Sequence, residues 1–277
     1  MRLDGALGEG TVAETAISRS ARTTGAGGDT DGDPLDHAVW RLRSRGCWED
    51  AAALLEPHIS RGDTQAALRR AALLVEHCMF TAGGWAGAED ALRTAEAMAG
   101  TDEERGAAAC ERGHLAYAAT VLGVRDRTDE ARAALGRAAA LLPPASPRRA
   151  LLDFRRGLTT EHFGDSPQSA RAAYRRAHAG ATAQGDALLR SFTWRHLAGL
   201  ALRAGEHAEA RHGFAESLRI REELGYLVGM APALVALAQV QPEPDADRLR
   251  AEARRLFRLL GGVPTWLTDQ LTDQPGG

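Results

Sequence analysis

Nine histidines and three cysteines are the residues of this chain best equipped for acid–base or metal chemistry, and their spacing argues against both. No His-Glu-x-x-His occurs. His207 and His212 stand five apart, outside the separation of three or four that puts two side chains on one helix face. His77 beside Cys78, and Glu161 beside His162, would point about 100° apart on a helix, which suits no shared ligand set. Cys47, Cys78 and Cys110 form no Cys-x-x-Cys, so buried free thiols are expected rather than a zinc knuckle or redox pair. Each histidine reads as an exposed or core-satisfied imidazole. No metal and no cofactor is expected.

Other chemistries fail on the same grounds. Serine, histidine and aspartate are present without a Gly-x-Ser-x-Gly elbow, and no catalytic residue is assigned. The chain contains no lysine and no asparagine, which removes the Walker phosphate loop, the Schiff-base lysine and the Ser-x-x-Lys pair. The pairs Arg69-Arg70, Arg148-Arg149, Arg155-Arg156 and Arg175-Arg176 are offset by acids and read first as solvated helix faces. Asp29-x-Asp31-x-Asp33 opens like a calcium loop, but Gly32 comes too early and Trp40 stands where the closing glutamate belongs.

The net charge of -3 argues against direct nucleic-acid binding. No apolar run approaches the ~18–20 residues of a membrane span, and the N-terminus has no secretory pattern. A cytoplasmic protein without membrane contact is expected.

The elements that must position any site announce themselves by a rhythm. An alanine followed four residues later by a large apolar residue recurs as Ala51/Leu55, Ala88/Leu92, Ala131/Leu135, Ala170/Tyr174, Ala210/Phe214 and Ala253/Phe257, at intervals of 37 to 43 residues. A period near forty with helix-forming sequence between the beats predicts stacked helical hairpins. Each beat would mark a hairpin's second helix, its alanine allowing close approach and its large residue filling the gap toward the next repeat.

Helix starts are read at Asp33-Pro34, Asp50, Asp63, Thr101-Asp102, Ser146-Pro147, Ser166-Pro167 and Asp186. Gly46, Gly83 and Gly205 would end first helices, with Trp48 and Trp85 plugging two of the turns. Pro232 is expected to kink or restart the sixth first helix. A capping helix over Asp247 to Leu260 should be followed by Val263 to Leu267 folding back through Trp266. The domain reading is a flexible tail over residues 1–33 with at most a short helix near Val12 to Ile17, a solenoid over 34–262, and a cap segment over 263–277.

The stretch Trp194-x-x-Leu197-Ala198-x-x-Ala201, followed by Gly205, Ala210 and Phe214, resembles a tetratricopeptide repeat. It departs in Ala198, Ala201 and Glu222, and in a repeat nearer 40 residues than 34. The longer repeat resembles the sensor regions of large ATP-binding LuxR-family regulators of high-GC bacteria. The segment from Glu216 to Gly225 is similar to their inter-repeat joint, while their ATPase module has no counterpart here. The resemblance covers roughly Pro34 to Gly261 and implies a scaffold and a regulatory setting.

The expected fold is an all-α, right-handed α-solenoid of about six tetratricopeptide-like hairpins. Its concave wall, counted in the repeat register, holds Asp36, Trp40 and Arg43, then Leu73, His77 and Phe80, then Tyr117 and Thr120. Phe154, Leu158, Glu161 and His162 follow, then Arg195, Leu202 and Arg203. Trp40, Arg43, His77, Phe80, Tyr117, Phe154, Leu158 and Arg195 are the candidate contacts for a protein or peptide partner, with arginines taking carboxylates. The bland alternative is that the aromatics pack between repeats. A small-molecule sensor or enzyme of secondary metabolism built on a closed inner cavity is the second reading. Self-association through the end repeats is a third.

Overall fold

The computed structural model describes residues 33–164 and 166–272. Expectations about residues 1–32 lie outside the described residues. Among those described, every regular element is a helix. They are α1 (Pro34–Ser44), α2 (Trp48–Ala53), the one-turn α3 (Glu56–Ile59), α4 (Thr64–Thr81), α5 (Trp85–Met98), α6 (Asp102–Val121) and α7 (Thr128–Leu141). Then come α8 (Arg149–Phe163), α9 (Pro167–Gln184), α10 (Ala187–Arg203), α11 (His207–Leu224), α12 (Leu227–Ala238) and α13 (Asp245–Leu259). A 3-10 turn over Thr265–Leu267 leads into the short α14 (Thr268–Thr272).

The starts follow capping chemistry. Asp33, Asp63, Ser166 and Asp186 each accept a backbone N–H of the helix that follows, and Thr101 with Glu104 forms a reciprocal capping box. Two expected starts move. Helix α8 begins at Arg149: the Ser146 hydroxyl donates to Glu103 over 2.7 Å and accepts from Arg148 N at 3.1 Å, closing a turn ahead of the helix. Helix α2 begins at Trp48, ahead of Asp50.

The helices pair in chain order as six hairpins, α1/α2, α4/α5, α6/α7, α8/α9, α10/α11 and α12/α13, and successive hairpins stack. This is an α-solenoid of tetratricopeptide-like hairpins. All six beat alanines are 0% exposed, and each lies on a second helix.

The large partner of the beat seats differently from the expectation in at least two hairpins. Tyr174 lies against Gly157 and Leu135 against Gly113, each on the first helix of its own hairpin. A Cβ at those glycines would stand 2.5 and 2.7 Å from the facing side chain. The bulky residue thus locks its own hairpin rather than reaching only for the next. Burying one such side chain is worth about 1.5–3 kcal/mol.

Two further expectations are corrected. In the second hairpin the left-handed residues are Ala82 (φ 54) and Gly84 (φ 74) rather than Gly83, and a Cβ at Gly84 would collide with His77 at 2.7 Å. Helix α12 runs through Pro232 without restarting. Proline there removes one donor, to Val228, and the flanking core packing retains the helix.

The array also closes on itself. Helix α1 touches α12, and the 3-10 turn reaches back to α4. Trp40 stacks on Tyr226 with centroids 5.9 Å apart, and Thr265 donates to the Phe80 carbonyl at 3.4 Å. A single apolar cluster therefore unites Val39, Trp48 and Leu73 from the beginning with Leu188, Ile220, Tyr226 and Val228 from the fifth and sixth hairpins.

Candidate functional site

The candidate wall follows the first helices α1, α4, α6, α8 and α10, and the closure changes what it presents. Trp40 and Phe80 are half-buried in the cluster that joins the two ends of the array. Phe154, Leu158 and Tyr117 are buried in a second cluster, which Met79 of α4 and Phe192 of α10 also join. The aromatic stretch of the wall is thus packed as a core. Large exposed apolar side chains among the described residues are Leu54, Val124 and Leu259, all off the wall.

Arg43 donates from Nε to Glu76 over 2.8 Å, and the same carboxylate accepts from Trp48 Nε1 at 3.1 Å and Tyr226 Oη at 2.8 Å. Burial raises the Tyr226 phenol well above its ordinary range, and the Glu76 charge adds to it. His77 stacks on Trp48 with centroids 5.7 Å apart, facing the hairpin turn. Asp36 pairs with Arg69, and Thr120 caps Arg127 N at 2.8 Å.

The other polar knot gathers on α6, α8, α9 and α10. Tyr117 Oη lies 3.2 Å from His162 Nδ1, which is also 3.0 Å from the Leu158 carbonyl. Glu161 accepts from Tyr174 Oη at 2.5 Å, from His196 Nδ1 at 3.0 Å, and from Arg203. Burial pushes the Glu161 carboxyl up, but the hydrogen bonds from His196, Tyr174 and Arg203 outweigh it and hold the group far below the usual range. His196 is held below its ordinary value by burial, which exceeds the opposing pull of Glu161. A carboxylate with both oxygens taken is a poor general base; it fixes the positions of its donors.

Arg195 stands apart from this pattern. Among the described residues it makes no hydrogen bond and no contact ion pair. Burial lowers its pKa while Glu161, Tyr117 and Tyr174 lie within electrostatic reach. Arg221, 2% exposed, is held by Ser191 Oγ at 3.2 Å and the Gly229 carbonyl at 2.7 Å, with its guanidinium 5.0 Å from the Phe192 ring. Burial, with Arg195 nearby, brings its pKa down to about 9.

The structure therefore groups Tyr117, Phe154, Leu158 and Arg195 around one section of the wall, and Trp40, Arg43, His77 and Phe80 around another. Glu76, Tyr174, His196, Arg221 and Tyr226 escaped the sequence reading as members of the site. Tyr174 carried a signal only as a beat residue, and Tyr226 gains its partner solely through closure. Away from the wall, a cleft of about 690 Å³ opens beside the α6–α7 loop, lined by Trp85, Val124 and Arg125 among others. The described residues contain no group of three or more His, Cys, Asp or Glu placed to hold a metal ion, and no helix long and apolar enough to cross a membrane.

No family model matches this chain, and no curated protein matches it. Among solved structures it is similar to a Signal Transduction ATPase with Numerous Domains protein with a tetratricopeptide repeat sensor from Pyrococcus horikoshii. The identity is 15% and the TM-score 0.48, over 86% of this chain and 39% of that one.

Proposed function

We propose that the chain is a non-enzymatic helical-repeat scaffold that holds a protein or peptide partner at its inner wall, in a regulatory setting. The observation that carries this reading is Arg195, a guanidinium on the wall that no described residue hydrogen-bonds. Around it, the acidic and phenolic groups are already bonded to one another, which leaves recognition rather than proton transfer as the available chemistry. The regulatory part rests on the resemblance to repeat sensor regions.

Because Trp40 and Phe80 also join the ends of the array, their removal tests the fold as much as the site. A cleaner test places a photo-crosslinking residue at Arg203, exposed beside the knot, and at Arg137, exposed on α7. A partner trapped from the native extract at position 203 and not at 137 supports the reading. Equal trapping at both, or none at 203, removes it.

A small-molecule sensor is the second reading, favoured by the convergence of Tyr117, Glu161 and His162 with Tyr174 and His196. It would be supported by a saturable thermal shift with a compound that also protects the 203 position from crosslinking.

A further inference from the structure

Most charges on the first helices are settled in pairs, and among the described residues the half-buried arginines of α10 that make no contact ion pair are Arg190 and Arg195. Arg43 meets Glu76, and Arg155 meets Glu111 through one nitrogen donating to both carboxylate oxygens at 2.7 and 2.8 Å. Arg203 meets Glu161. Among the described residues Arg195 and Arg221 meet no carboxylate: the first makes no hydrogen bond or contact ion pair, and the second is held by a hydroxyl and a backbone carbonyl. Buried or half-buried cations are normally paired, because desolvation of a lone charge is costly. Around α8, α10 and α11 the wall thus sets three guanidinium groups against the single carboxylate of Glu161, which Arg203 already occupies.

The local sequence of α10 leaves this positive site reachable. Helical side chains lean toward the N-terminus, so the Arg195 guanidinium extends toward the turn of Phe192; Arg195 is half-buried, and its unbonded nitrogens are not sealed from solvent. One turn before Arg195 lies Phe192, whose ring is packed by Arg221, Phe154 and Tyr226 and so gives the site a rigid apolar floor.

We propose that this section of the wall binds an oxyanion, with Arg195 as its direct partner and Arg221, fixed by Ser191 and Gly229, as a second positive charge behind it. A planar guanidinium with free donors matches a phosphate or carboxylate group. Glu161 does not compete, since its oxygens are filled by Tyr174, His196 and Arg203. The inference deepens the proposed function by naming what the partner brings to Arg195: a phosphate group, or a carboxylate from an acidic side chain or chain end.

The test is thermal unfolding of the full chain in sodium phosphate, sodium acetate and sodium chloride at matched ionic strength. Ligand linkage predicts a saturable rise of about 3 °C with phosphate, acetate or both, beyond chloride. A rise with phosphate alone identifies a phosphate group, and a rise with acetate alone a carboxylate. Arg195→Gln should raise the half-saturating concentration at least tenfold, while Arg137→Gln on the outer surface leaves it unchanged. Arg195→Lys, which keeps a positive charge but loses the planar fork of donors, should weaken the anion effect several-fold. It keeps the test decisive if Arg195→Gln does not fold. Phosphate and acetate both matching chloride, or a shift indifferent to both variants, overturns the proposal. Crosslinking at position 203 without any anion effect would leave the scaffold reading standing and remove this one.

Discussion

The hydroxyl of Tyr226 donates to Glu76 over 2.8 Å, joining residues 150 apart in sequence and holding the end of the array against its beginning. A repeat array held only by neighbour contacts frays from its ends. Here the shared carboxylate also takes Trp48 and Arg43, so the first, second and sixth hairpins meet at one acceptor.

Tyr226→Phe should therefore lower stability by about 1–3 kcal/mol, because a buried acceptor loses one of its donors while the ring packing survives. Urea unfolding checks this through a reduced midpoint at unchanged slope. A midpoint equal to wild type would mean that apolar packing alone closes the array.

Gly157→Ala should destabilise by about 1–3 kcal/mol although alanine is the better helix former, since the added Cβ would sit 2.5 Å from the Tyr174 ring. Gly136→Ala, on exposed α7 with nothing within 4 Å, should stabilise by up to about 1 kcal/mol. Opposite signs in chemical denaturation are the expected result. Like signs would refute the seating of Tyr174.

Trp40→Ala and Phe80→Ala should each cost about 3 kcal/mol, as they leave voids in the cluster that joins the two ends. Native-state hydrogen exchange would show the loss concentrated in α1 and α12. A uniform change across all hairpins would count against closure.

Glu111→Gln should cost about 3–5 kcal/mol, since it leaves the Arg155 guanidinium buried opposite a neutral amide. Replacing both residues with apolar ones of similar volume should recover much of that loss. Thermal unfolding of the single and double variants decides it.

Acid should weaken the fold in two stages. Burial holds His114, His178 and His196 below their ordinary value of 6.5. Below that pH the unfolded chain therefore takes up protons that the folded chain refuses, and stability falls with pH. Glu161 is held below its ordinary value of 4.5, so its contribution is complete above that pH and lost as pH falls toward the folded pKa. Glu161→Gln should shrink the lower stage, which Glu89 and other paired carboxylates share, and retain the loss that His114 and His178 cause near pH 6. A Glu161→Gln variant with an unchanged profile below pH 4.5 would contradict the assignment.

Much of the scaffold was legible because it depends on short-range rules. The caps at Asp33, Asp63, Thr101, Ser166 and Asp186 act within three residues, and the six alanines mark contacts inside single hairpins. Ser146 misled because its hydroxyl accepts from Arg148 N in a turn ahead of the helix, while donating to Glu103, a partner 43 residues away. Pro232 does not restart its helix, because packing against the sixth hairpin's core retains a helix that proline weakens. The wall register named Tyr117, Phe154, Glu161, His162 and Arg195. It had no means of predicting which of them would face each other.

By itself, then, the order of residues determined the hairpins and their number, since helix periodicity, caps and small-to-large contacts are properties of a local window. Only the tertiary structure decided that the inner wall closes, that its aromatics become core, and that Arg195 meets no carboxylate in direct contact among the described residues. Those outcomes depend on how slight rotations between successive hairpins accumulate until Trp40 meets Tyr226, and no window of sequence contains that sum.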